Sequence, residues 1–295
     1  MSLKNKIKSY WELTKPDITL LVLISTLLGY FLGAQFLGES ILGNPSVLIH
    51  LMIGSYLTSA GVAILNEYIE REQDATMNRT NTRPLPSGRI SPKDALIFGI
   101  SVSVMGVIDL ALLVNLYCGI LSFITIVIYL FVYTPIKQKT PWNTLVGAIP
   151  GALPPVGGWL AATGNITYQT WVVFCLLFFW QIPHFLSIAW LYRTDYKKGG
   201  FKMFMIDNKD GFKSIILLVG FCILTLIFSL FLIPTPIASI TLISICATII
   251  MGLWYVISAL KMALKQCVKN ARRLLFVSII YIPAILIILV IGNLG

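Results

Sequence analysis

The stretch "LNEYIEREQDATMNRTNTRPLPSGRIS" (Leu65–Ser91) holds four arginines and four carboxylates, in a chain where only 12% of residues are charged. Apolar runs flank it on both sides, at about 46–65 and 95–113, and each is about as long as a helix needs to cross a bilayer. A polar island between two such runs reads as a surface loop joining membrane spans. Composition agrees. Of the 295 residues 57% are apolar, the mean hydropathy is +0.85, and the charged fraction is half the roughly 25% of soluble domains. The chain therefore reads as a single all-α, membrane-embedded domain over 1–295.

Working outward, nine apolar runs are long enough to span: about 18–37, 46–65, 95–113, 117–134, 143–162, 169–190, 214–233, 236–260 and 274–293. The first follows "KNKIK" but is too long for a signal-peptide core and has no small-x-small cleavage site after it, so it reads as a retained helix. All 22 lysines and arginines fall before run 1 or between runs 2 and 3, 4 and 5, 6 and 7, and 8 and 9. With nine spans these segments share one face, which the positive-inside rule makes cytoplasmic, N-terminus included. The net charge of +10 is then topological, with contacts to anionic lipid, and nucleic acid is not an expected partner. The five cysteines show no metal or redox spacing, which argues against zinc and disulfides.

Acidic residues do little for topology, so their clustering needs another reason. Asn66, Glu70 and Asp74 recur every four residues, on one face if the second helix continues past the membrane surface. Like charges so spaced repel unless a cation lies among them, and Mg²⁺ takes such oxygen ligands together with substrate phosphates. Arg79, Arg83 and Arg89 suit phosphate oxygens, while Pro84, Pro86 and Gly88 enforce an ordered turn. The acid-bearing loops cover about 66–94 and 191–213, and the second brings Asp195 to the same face. An ordinary solvated helix end also explains the first row taken alone; the two loops together point to a metal–diphosphate clamp. A diphosphate at the mouth of an intramembrane cavity suggests an isoprenoid donor. Mg²⁺ and arginine would stabilise its leaving group, and the apolar cavity would keep water from the allylic cation.

Asn66–Glu70–Asp74 followed by "RTNTRPLPSGRISP" resembles the first signature of the intramembrane UbiA-type prenyltransferase superfamily, whose nine helices surround a central cavity. Within it, "LTKPDITLLVLIS" (Leu13–Ser25), "AGVAILNEYIEREQDATMNRT" (Ala60–Thr80), "YTPIKQKTPWN" (Tyr133–Asn143), "GALPPVGGW" (Gly151–Trp159) and "WQIPHFLSIAW" (Trp180–Trp190) resemble the protohaem IX farnesyltransferase (haem O synthase) family. The similarity covers about residues 10–205; the last three runs carry no motif. The resemblance implies transfer of farnesyl from farnesyl diphosphate to a vinyl group of haem B with addition of water, making haem O in the cytoplasmic (inner) membrane. It implies Mg²⁺ held through the diphosphate by Asn66, Glu70, Asp74 and Asp195, and phosphate contacts from Arg79, Arg83 and Lys137. A haem A synthase or terminal-oxidase assembly proteins are the implied partners. The vinyl carbon is the nucleophile, so no activated Ser or Cys is required. This chain departs from the superfamily pattern at Leu191, where a second aspartate is common. It departs from the family at Glu72, which keeps a carboxylate, at Asp17, where a basic residue is common, and at Lys202, where a proline is common.

His184 sits in "QIPHF" and is an attractive haem ligand, with a hydrogen-bonded core histidine as the plain alternative. Asn143, Gln181 and Trp180 either line the haem side of the cavity or serve interhelical bonding and packing. His50 reads as structural, and Asp109 has no assigned role. The tract "GAIPGALPPVGGW" offers close helix contact and proline kinks. Two other readings stay open. One is a superfamily relative acting on a quinone precursor or tetrapyrrole acid; the "DATMNRT" and "WQIPHF" segments argue against it. The other is a secondary transporter, against which stand acids at the membrane face and the lack of a clear repeat.

Overall fold

The computed structural model describes residues 2–204, 215–233 and 239–292. Asp207, Asp210, Lys209 and Lys213 of the second polar loop lie outside the described residues. Helices make up the chain: α1 (Leu3–Leu13), α2 (Pro16–Phe36), α3 (Pro45–Ile69), α4 (Arg71–Thr76), α5 (Pro92–Val114), α6 (Leu116–Ile136), α7 (Asn143–Thr163), α8 (Tyr168–Leu191), α9 (Arg193–Lys198), α10 (Phe221–Leu230), α11 (Ser239–Leu264) and α12 (Val268–Gly292). Among the described residues eight helices are long and apolar enough to cross a membrane. At the seventh expected span the described residues give a shorter apolar helix, Ile216–Leu230.

Local chemistry sets the boundaries. Ser91 caps α5 by accepting the Asp94 N–H, and Pro92 follows at the first helical position, where its missing N–H costs nothing. The basic segment expected to be a loop between spans eight and nine is mostly helical. Asn270 Nδ2 donates to the Lys261 and Lys265 carbonyls, capping the end of α11 and letting α12 begin at Val268. Helix α1 was not expected. Its Leu3, Ile7 and Trp11 form an exposed apolar face four residues apart, with Lys4, Lys6 and Lys8 among them, the pattern of an interfacial helix.

The chain divides into two compact units. The first comprises residues 1–139, 153–166 and 194–201. In it α3 lies along α5, where Gly61 and Gly106 leave room only for Ser103 and Thr58. The second half of α7 lies against α2 just as closely: a Cβ on Gly158 would collide with the Thr26 carbonyl, so the tract of small residues does permit backbone approach. Leu13, Ile64, Leu85, Ile90 and Ala95 form a cluster fixing the end of α1, the end of α3 and the Pro84–Ile90 turn together. Gly88 there takes φ +70°, open to glycine without steric cost. At the opposite end of α3 and α5, His50 Nδ1 meets Asp109 Oδ1 at 3.0 Å, which gives Asp109 its partner.

The second unit comprises residues 140–152, 167–193 and 202–295. Here α8 packs on α10 and α12, and α11 on α12. The wholly buried Tyr255 and Tyr281 lie ring on ring 5.3 Å apart, and the Tyr281 hydroxyl hydrogen-bonds Ser229 at 2.9 Å.

Candidate active site

The acid row forms where α3 ends. The helix breaks at Glu70, yet Glu70 N–H still donates to Asn66 C=O (2.9 Å) and Asp74 N–H to Glu70 C=O (2.8 Å). The four-residue spacing therefore survives the break. All three side chains are buried, unlike those of a solvated helix end.

Each has a polar partner from elsewhere in the first unit. Asp74 Oδ2 takes the Arg83 guanidinium at 2.7 Å. Glu70 Oε1 pairs with Lys137 Nζ at 2.8 Å. Asn66 accepts from Lys15 Nζ (3.3 Å) and donates to Thr134 Oγ1 (3.3 Å). The π-helical turn Ile128–Tyr133 builds the far wall. It lets the Thr134 hydroxyl reach back five residues to the Tyr129 carbonyl (2.8 Å), and it places Tyr129 and Tyr133 around Lys137, whose Nζ is 4.5 Å from the Tyr133 ring centre.

Lys15 precedes Pro16 and takes φ 46°, a left-handed conformation rare for lysine. Burial pulls its ammonium down to about 8, and the Arg83 charge adds to this, while Glu67, Asp74 and Glu70 work the other way. Lys15 and Arg83 also line an open cleft of about 420 Å³ with Trp11, Glu12, Pro16, Asp17 and Ile18. Glu67, buried beside the row, accepts the Leu85 N–H at 3.2 Å and so ties the row to the proline turn.

The second loop comes to the first. Arg79 lies over the Tyr196 ring (5.4 Å), Lys198 Nζ reaches Asn78 Oδ1 (3.4 Å), and Thr76 Oγ1 donates to the Lys198 carbonyl (3.3 Å). Asp195 is buried, and among the described residues no ion pair reaches it. Arg89 does not join the row: it pairs with Glu12 at 2.6 Å and holds α1 to the loop.

These residues fit a magnesium–diphosphate. The donors are oxygens, each buried carboxylate can accept more than the one cation facing it supplies, and those cations stand alongside for the phosphates. Among the described residues no three His, Cys, Asp or Glu side chains could by themselves hold a metal ion, so a metal here would need oxygens from outside the chain.

The four residues considered for the haem side lie in the second unit. Trp180 Nε1 donates to the Ser278 carbonyl (2.8 Å), and His184 Nδ1 meets Ser278 Oγ (2.8 Å). Gln181 Nε2 donates to the Ala148 carbonyl (2.8 Å). Asn143 Nδ2 donates to the Lys202 carbonyl (2.6 Å), while its buried Oδ1 has no hydrogen-bond partner.

Proteins of known family resemble this chain in sequence and fold. Residues 22–280 match the model of the UbiA prenyltransferase family. The chain belongs to the UbiA prenyltransferase family. This UbiA prenyltransferase is 41% identical, over 94% of its length and 96% of the relative's, to the protoheme IX farnesyltransferase of Solibacter usitatus. It is 38% identical to that of Salinibacter ruber, over 96% of this chain and 97% of the relative. Its fold is that of a solved digeranylgeranylglyceryl phosphate synthase, at TM-score 0.76 and 17% identity with 98% of each chain covered. A UbiA homologue from Archaeoglobus fulgidus, solved with GPP and Mg²⁺, aligns at TM-score 0.66 and 17% identity over 96% of this UbiA prenyltransferase and 99% of that chain.

Sequence reasoning missed four residues. Lys15 looked like a topological lysine, and only its place before a proline hinted otherwise. Thr134 carries no charge pattern, and Glu67, though one of the clustered carboxylates, falls outside the four-residue row. Ser278 is one serine of a helix without a motif.

Proposed function

We propose that this UbiA prenyltransferase transfers the farnesyl group of farnesyl diphosphate to a vinyl group of haem B, adding water to give the hydroxyfarnesylethyl side chain of haem O. The observation that carries the reading is near-full-length similarity to protoheme IX farnesyltransferases, joined to a buried Asn66–Glu70–Asp74 row facing its own cations. In the reaction the C1–O bond to diphosphate breaks and a vinyl carbon attacks C1. The remaining vinyl carbon becomes cationic, water adds to it, and that water loses a proton.

Asn66, Glu70, Asp74 and Asp195 hold the diphosphate through Mg²⁺, and Arg79, Arg83 and Lys137 contact its oxygens; Lys15 joins them. When bound, Mg²⁺ neutralises charge developing on the departing diphosphate. The pairs Asp74–Arg83 and Glu70–Lys137 keep each charge compensated before substrate arrives, so diphosphate exchanges partners rather than entering a bare charged site. Tyr129 and Tyr133 shield Lys137 from water. Trp180, Gln181, His184 and Asn143 take the haem.

The N-terminus is cytoplasmic and the spans number nine, the seventh being 214–233, whose first residue lies outside the described residues. This arrangement gathers every basic segment on one face of the cytoplasmic membrane. Haem B, farnesyl diphosphate and Mg²⁺ incubated with purified protein should give a haem heavier by farnesyl plus water, absent with Asp74→Asn. A haem left unmodified by a folded preparation that prenylates a quinone-ring acceptor instead would overturn the haem reading.

A further inference from the structure

Ser278, on a helix that carries no sequence motif, makes two hydrogen bonds to α8, and both go to residues of the "WQIPHF" segment. Its carbonyl accepts from Trp180 Nε1 and its Oγ lies 2.8 Å from His184 Nδ1. Ser278 is wholly buried. A serine hydroxyl has one proton, and here it goes to the Leu275 carbonyl at 2.7 Å, an acceptor that cannot donate in return. The Oγ–Nδ1 contact therefore needs the proton on the histidine. His184 is the Nδ1–H tautomer, and its Nε2 carries the lone pair. Among the described residues no hydrogen bond engages Nε2.

One nitrogen donating to a fixed acceptor while the other stays bare is how imidazole is presented to a metal. Orientation is fixed as well. Trp180 and His184 are one turn apart with rings stacked at 5.2 Å and 25°, so Ser278 holds both planes. The buried Tyr255 hydroxyl donates to the Trp180 carbonyl at 2.9 Å and pins the same turn of α8.

We propose that Ser278 is a positioning residue that sets His184 as the Nδ1–H tautomer, with Nε2 as the axial ligand of the substrate haem iron. The proposal rests on the haem reading. Iron ligation by His184 would hold the haem at a fixed orientation beside Trp180.

The test titrates ferric haem B into the full-length protein in detergent and reads absorbance and electron paramagnetic resonance, for wild type, His184→Ala, Ser278→Ala and Ser278→Thr. Thermal melting of each variant controls for folding. Wild type should show a histidine-ligated spectrum that His184→Ala loses. Ser278→Ala should bind haem about 10- to 100-fold more weakly with an altered ligand field, and Ser278→Thr should recover both. If Ser278→Ala does not fold, Ser278→Cys, a poor acceptor, takes its place. Wild-type affinity and ligand field in folded Ser278→Ala would overturn the positioning role and leave the haem reading standing. An unchanged spectrum in His184→Ala would place the ligand elsewhere. A wild-type protein that binds no haem would overturn both readings.

Discussion

Glu70 and Lys137 are buried against each other with Oε1 and Nζ 2.8 Å apart, from segments of the chain that the sequence places in different loops. The pair is close enough for strong attraction, and one lysine occupies only part of what a carboxylate can accept, so charge is compensated without saturating Glu70. Burial lowers the Lys137 ammonium, but Tyr133 and Glu70 facing it outweigh that, and it stays charged above the usual lysine range. The acid row is therefore stabilised by the same cations proposed to meet the substrate.

Removing one member should separate stability from catalysis. Lys137→Met leaves Glu70 charged and buried, a situation that typically costs about 3–5 kcal/mol. A lowered melting midpoint is expected for Lys137→Met, most of it recovered by Glu70→Gln/Lys137→Met. Neither variant should recover prenyl transfer. Restored turnover in the double variant would mean that the pair is structural only.

The row itself was legible because its members lie on one short stretch at helical spacing, and the second loop because it is again dense in charge. Lys15 was not: a lysine at the foot of a first span is fully accounted for by topology, and only the folded chain brings it to Asn66. Nor was Arg89, whose turn to Glu12 depends on α1, a helix too short and too charged to stand out in a hydropathy reading. The π-turn behind Lys137 and the link of Ser278 to His184, 94 residues apart, arise from packing that no local pattern encodes.

Arg83 and Asp74 offer a double-mutant cycle. Asp74 is buried while Arg83 is partly exposed, so losing the guanidinium should cost about 1.5–3 kcal/mol, the range for hydrogen bonds to charged groups. Arg83→Gln should lower the melting midpoint more than Asp74→Asn/Arg83→Gln does. Strictly additive effects would show that the two side chains are not coupled.

Lys15 gives a pH signature. With its folded value lowered to about 8 from the ordinary 10.5, the unfolded chain binds more protons between those two values. The stability cost of burying this charge is therefore fully present below pH 8 and fades as pH rises to 10. The melting midpoint of wild type should gain on that of Lys15→Met across this window. Catalysis should run the other way: kcat/KM for farnesyl diphosphate falls above pH 8 as the free enzyme loses the ammonium. Lys15→Arg, which does not titrate there, should flatten the fall. An identical decline in Lys15→Arg would assign the titration to another group.

Two adjacent glycines of α7 make opposite predictions. A Cβ on Gly158 would run into the Thr26 carbonyl and stand 2.6 Å from the Tyr30 backbone nitrogen, atoms of α2 that cannot rotate away. A Cβ on Gly157 would meet only the Leu121 Cδ2 at 3.7 Å, an ordinary contact. Because α2 follows directly on Lys15 and Pro16, pushing it away from α7 also moves Lys15 relative to Asn66. Gly158→Ala should therefore destabilise by about 1–3 kcal/mol, as overpacking does, and raise the KM for farnesyl diphosphate. Gly157→Ala should leave both unchanged. Equal melting midpoints and equal KM values for the two variants would contradict the close α2–α7 contact.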